Sequence, residues 1–193
     1  MTYVELIVVL SIFSILSTVV VFNYNAFQAK IDLKNLASDI ALQIVQAQKS
    51  STAGMLPSIA QQALISASWK PSYGVYFNTS GTVKGASTKN FMYFSDLNGD
   101  SYFNDSDCTG ECISKYTITK PDTISSVSVV GSGTCPQITD LTVVFKRTQS
   151  GAIFSTTTPL GTCVIQYAQI NITPTSGPSS NIQVYSSGRI QIN

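Results

Sequence analysis

The chain has 193 residues, enough for one domain and a separate membrane or assembly segment. Charged residues make up 11%, the net charge is +1 and there is no His. Bulk charge therefore gives no pointer to nucleic acid or an acidic substrate, and the commonest general base and transition-metal ligand are both missing.

The chain opens MTYVELIVVLSIFSILSTVVVFNYN, and up to Phe22 its single charged side chain is Glu5. Leu6 to Phe22 are all apolar or small and polar, and about 20 such residues in a helix cross a hydrocarbon core of roughly 30 Å. A cleavable export signal starts with basic residues and ends at a small-residue cleavage site. Here the first basic residue is Lys30, so the segment reads as retained, with a leader already removed. A helical period continues through Phe27, Ile31, Leu33, Leu36, Ile40, Ile44 and Ala47, with Lys30, Asp32, Lys34, Asp39 and Gln43 on the other side. Gly54 and Pro57 supply the stop. The expectation is one helix of about 50 residues, roughly 75–80 Å long. Its first half is apolar all round and its second half amphipathic. A lone globular domain cannot bury that first half; a membrane or a bundle of like helices can.

Glu5 needs a reason. A carboxylate in hydrocarbon is costly unless it is neutralised, and the nearest cation is an alpha-amino group, its own or that of a neighbouring subunit. The alternative leaves Glu5 at the headgroup level, ionised and wet.

The stretch MTYVELIVVLSIFSILSTVV resembles the mature N-terminus of type IV pilins and type II secretion pseudopilins. Thr2, Glu5, Leu6, Val8, Val9, Ile12, Ile15 and Leu16 fall where that family places comparable residues. Two features depart from it. Met1 stands where Phe is usual, and Phe22 and Ser14 stand where many members carry Pro and Gly. Those Pro and Gly residues accompany local unwinding in assembled filaments. Here the β-branched run Thr18 to Val21, followed by Asn23 and Asn25, lowers helix propensity instead and leaves melting over residues 17–25 open. The resemblance implies an α+β fold, with a long N-terminal helix packed on an antiparallel β-sheet domain. Residues 1–25 form the transmembrane or assembly helix, 26–56 its amphipathic continuation and 57–193 a β-rich head. It also implies that Met1, Thr2 and Glu5 form an assembly site. The implied partners are like subunits in a homopolymer, a prepilin peptidase and the pilus assembly machinery. The chain would sit in the inner membrane first and in an extracellular filament afterwards.

From about Tyr73 the period becomes alternating. YGVYFN, FMYFSD, KYTIT, ISSVSVV, LTVVFK, CVIQYAQINI, NIQVYSS and RIQIN read as strands, separated by turn signals such as Ser80-Gly81, Asn98-Gly99 and Ser150-Gly151. SIAQQALI reads as a short second helix. The four cysteines, Cys108, Cys112, Cys135 and Cys163, make no Cys-x-x-Cys pair and have no His to complete a zinc set. An even number downstream of a membrane-like segment reads as disulfides formed in an oxidising place. Cys108 with Cys112 and Cys135 with Cys163 is the favoured pairing of the three, although sequence alone does not fix it.

One stretch carries metal chemistry, DLNGDSYFNDSD. Set against a twelve-residue calcium loop, Asp96, Asn98 and Asp100 fall at positions one, three and five. Tyr102 offers its carbonyl at seven, Asn104 sits at nine and Asp107 at twelve. Ser101 replaces the usual Gly at six, and no helix flanks the loop. The competing reading is a solvated turn, in which Asp and Asn are common for their local hydrogen bonds.

Three function classes remain to weigh. A filament subunit fits the N-terminus, as either a major pilin or a minor pilin or pseudopilin. A membrane-anchored hydrolase lacks His, a Gly-x-Ser-x-Gly motif and a carboxylate pair outside the loop. An anchored binding module, either a calcium-dependent adhesin or a DNA-binding pilin, has only scattered basic residues to offer nucleic acid.

Overall fold

Thr2 stands outside the first helix with extended backbone, φ −84° and ψ 152°, and α1 follows over Tyr3–Thr52. In the computed structural model the residues described are 2–65, 69–81, 83–106, 108–147, 149, 151–174 and 177–193; of residues 21–23, 25 and 26 the backbone alone is described. The helix is continuous through residues 17–25. There the Thr18 hydroxyl donates to the Ser14 carbonyl at 2.8 Å, a local bond to the preceding turn that suits a β-branched residue in helical backbone. Gly54, at φ +67°, turns the chain away, and a side chain there would meet the Arg147 guanidinium at 3.0 Å.

A one-turn helix, α2 (Ile59–Gln62), comes next. Among the described residues nine strands follow. These are β1 (Ser72–Asn78), β2 (Asn90–Ser95), β3 (Cys112–Thr117), β4 (Thr123–Ser132) and β5 (Asp140–Lys146). The rest are β6 (Ala152–Ser155), β7 (Val164–Thr173), β8 (Ser180–Tyr185) and β9 (Ile190–Ile192). The expectation of one antiparallel sheet needs correction, because the strands form two. One has five strands in the order β3-β2-β1-β5-β6 and the other four in the order β4-β7-β8-β9. All pairings are antiparallel. After Pro121 the chain leaves the first sheet, and β4 pairs with β7 from Thr123↔Thr173 to Ser132↔Val164. Strand β6 was not expected; it is a four-residue edge strand, half-buried throughout, paired with β5 and tied by the Ala152 amide to the Ser186 carbonyl at 3.0 Å.

Packing explains the split. In α1 the buried residues Leu33, Ala37, Ile40, Ile44 and Ala47 recur every three or four positions, a single stripe. They share one core with Val75, Phe77 and Val143 of the first sheet and with Ile170, Ile182 and Val184 of the second. The first sheet is covered on its other face as well. Tyr76, Met92, Phe94 and Val144 pack there with Phe103 and Cys112. Strand β1 is consequently buried at every position, whereas β4, β7 and β8 alternate as a sheet with one wet face does. β1 and β5 approach so closely that a Cβ at Gly74 would lie 2.6 Å from the Val143 carbonyl oxygen.

Candidate functional site: the bare helix and the polar loop

The N-terminus is organised by two reciprocal hydrogen bonds. The Glu5 amide donates to the Thr2 hydroxyl at 3.4 Å, and the Thr2 amide donates to the Glu5 carboxylate at 3.3 Å. This is a capping box, in which each side chain satisfies an N–H that the helix leaves without a partner. The carboxylate also sits where the helix dipole favours negative charge. Both residues are exposed. Met1, the third residue expected at this site, lies outside the described residues.

Beyond the cap, Tyr3–Val20 has a mean hydropathy of 2.3 and none of it is buried. Phe13 is 68% exposed, Ile15 65% and Leu16 60%. The helix is long and apolar enough to cross a membrane. Its contact with the head begins a few turns later. Gln28 donates to Asp32 at 2.9 Å, Asp32 pairs with Lys120, and Leu33 is the first buried residue of the stripe. The lysine holds the Asp32 carboxyl below its usual range.

The polar loop is wound around carboxylates. Asp96 is fully buried, and its oxygens accept from the Gly99 amide at 2.7 Å, the Ser101 amide at 3.0 Å and the Ser72 hydroxyl at 3.1 Å. Ser101 takes the left-handed conformation, φ +66°, at the position where a calcium loop has Gly. Asp100 accepts from the Tyr102 amide at 2.8 Å, and the Asn98 side-chain amide reaches its Oδ2 at 2.9 Å. The Asn104 side-chain amide donates to the same oxygen. The Tyr102 side chain points elsewhere, donating to Asp140 at 2.8 Å. Asp107 lies outside the described residues. Among the described residues no three His, Cys, Asp or Glu side chains gather where they could hold a metal ion.

Sequence reasoning missed two anchors of this loop. Glu111 is buried and accepts from the Leu97 amide at 3.2 Å and the Asn104 amide at 3.0 Å. Burial pushes its carboxyl up; those two amides pull it down, and Asp96 and Asp100 push it up further. Gln61 of α2 donates to the carbonyls of Gly110, Glu111 and Cys112, tying the short helix to the loop's end. A lone Glu and a lone Gln carry no spacing signal, so no pattern marked them. The disulfides join Cys108 to Cys112 and Cys135 to Cys163. The first closes the far end of the loop. The second links the stretch after β4 to the start of β7.

Comparison with known protein families, with characterised proteins and with solved structures finds no match to this chain.

Proposed function

We propose that the chain is a pilin-type subunit that polymerises through α1 into an extracellular filament, after a stage anchored in the inner membrane. The observation that carries this reading is the helix Tyr3–Val20, wholly exposed on the protein's own fold, with Glu5 one turn from its tip. An apolar surface of that extent needs a partner. A membrane covers it before assembly, and the same helices of other copies cover it afterwards. In the filament the Glu5 carboxylate pairs with the alpha-amino group of a neighbouring subunit, which fixes the axial register and relieves the cost of burying both charges. A prepilin peptidase and the pilus assembly machinery are the partners this requires. The alternative is a minor pilin or secretion-type pseudopilin, favoured by the closing hairpin β8–β9. Shearing the source cells, imaging the material and identifying its dominant protein by mass spectrometry separates the two. Thin filaments made mainly of this chain are expected. Filaments made of another protein, with this chain in trace, identify a minor subunit. Absence of any filament containing the chain refutes assembly.

The polar loop carries a second proposal, a weak calcium site centred on Asp100. Its support is the convergence of the Asn98 and Asn104 side chains on one Asp100 oxygen. A half-turn of the Asn104 amide would present oxygen instead of nitrogen, whereas the Asn98 side-chain oxygen already accepts from the Asp100 amide at 3.0 Å. Extracellular sites of so few charged ligands bind calcium at about 10⁻⁴–10⁻³ M.

A further inference from the structure

The outward face of the second sheet is built to a rule. The register brings Ser128, Gln169, Gln183 and Gln191 into one row across the sheet. The next row is Ser126, Asn171, Asn181 and Asn193. The first row crosses all four strands and the second ends at Asn193, just past β9, and every one of these side chains is half-buried or exposed. None of β4, β7, β8 and β9 contains a charged residue. That is unusual twice over. Exposed strands ordinarily carry Lys or Glu to discourage pairing with other chains, and Asn is depleted from strands.

The rows are also ordered. Gln169 donates to Asn171 at 2.7 Å, and Asn171 donates to Ser126 at 2.8 Å. Gln191 donates to Asn193 at 2.8 Å, and the Tyr185 hydroxyl donates to Gln183 at 3.1 Å. Beside the Gln row, Tyr167 and Tyr185 stand opposite each other with ring centroids 5.4 Å apart. The Arg189 guanidinium lies 3.9 Å over the Tyr185 ring.

We propose that this face binds an extended, uncharged glycan chain. Each amide offers two donors and an acceptor, so a row of them meets hydroxyls that both donate and accept. The strands set the row elements about 4.8 Å apart, close to the length of one sugar ring. Tyr167 supplies flat apolar surface with a polar tip for the C–H faces of sugars, while the Arg189 guanidinium covers one face of Tyr185 at the border of the sheet. The lack of charge on the strands themselves matches a neutral polymer and disfavours nucleic acid, whose affinity rests on phosphate contacts. The hydrogen bonds within and between the rows hold the side chains in place beforehand, which lowers the entropy lost on binding. The face belongs to the head, so the inference stands whether or not the chain forms filaments.

The test uses the full chain in a detergent without a sugar headgroup, incubated with cellulose and with chitin, followed by calorimetry with the matching hexasaccharides. Retention on at least one of the two is expected, unchanged at about 1 M salt, where charge interactions are screened beyond roughly 3 Å. The double variant Gln169→Ala, Gln183→Ala should bind about tenfold more weakly or worse with its thermal midpoint preserved, and Gln183→Ala alone should show a smaller loss. No retention on either polymer overturns the proposal, as does retention equal in both variants. Retention lost in salt assigns the binding to Arg189 and overturns it too. Concentration-dependent self-association that disappears in the double variant, without glycan binding, makes a second copy of the chain the occupant.

Discussion

Asp122 is 3% exposed, and its Oδ2 has no hydrogen-bond partner among the described residues. Its neighbour Lys89 donates to its backbone carbonyl instead, at 2.8 Å. Burial, and then the Asp32 carboxylate, push the Asp122 carboxyl up, while Lys89 and Lys120 pull it down. A carboxyl raised in the folded state binds protons more tightly there than in the unfolded chain. The penalty is therefore fully present at neutral pH and fades as pH falls through the raised value toward about 3.9. Asp122→Asn should raise the thermal midpoint at pH 7. The gain should shrink on acidification, and melting curves from pH 7 to pH 4 will show whether it does. Asp96 is the opposite case, a buried carboxylate whose oxygens are all engaged. Asp96→Ala leaves the Gly99 and Ser101 amides without partners and should cost about 3 kcal/mol, with or without calcium. Asp100→Ala is the variant that reports on the ion. Calcium at millimolar concentration should raise the midpoint of the parent and leave that of Asp100→Ala unmoved. A rise of the same size in both removes Asp100 from the site.

The two halves of α1 have the same length scale and opposite fates, and point substitutions separate them. Ile40 is fully buried in the core shared by both sheets, so Ile40→Ala should cost about 2–5 kcal/mol and lower the melting temperature steeply. Ile12 is 53% exposed and touches no part of the head, so Ile12→Ala should leave the melting of the head unchanged while weakening helix–helix assembly. Calorimetry on both variants, with imaging of sheared material, checks the pair. This division was legible in the sequence, because an apolar run and an amphipathic run differ in period whatever lies against them. Most strands were legible for the same reason. The existence of two sheets was not, although its trace is present. YGVYFN and LTVVFK carry apolar residues at adjacent positions and lie in the doubly covered sheet, while IQYAQINI alternates and lies in the sheet with a wet face. Strand β6 escaped because four half-buried residues at an edge carry too short a pattern. In the loop, the Asp and Asn spacing was visible, but the burial of Asp96 and the part played by Glu111 depend on contacts between residues 7 to 24 positions apart, which no local pattern encodes.

At the scale of the whole molecule, a folded head is joined to an apolar helix segment, Tyr3–Val20, that is not buried by any of the described residues and carries Glu5 near its tip. The structure gives Glu5 a second occupation, as half of the capping box with Thr2. A simple deletion of the carboxylate therefore confounds two effects. Glu5→Ala removes the acceptor for the Thr2 amide as well as the charge, and a lost cap alone costs about 0.5–2 kcal/mol at the helix end. Glu5→Gln keeps an acceptor oxygen of the same reach, so the box persists and only the charge is lost. If assembly rests on pairing the carboxylate with a neighbour's amine, both variants should retain a folded head with an unchanged melting temperature and both should fail to form ordered filaments. If the cap alone matters, Glu5→Gln should assemble normally while Glu5→Ala frays and fails. Normal filaments from both would remove Glu5 from the assembly mechanism. Imaging sheared material from cells expressing each variant, beside melting curves of the purified chains, distinguishes these three outcomes. The charge-pairing account requires the first.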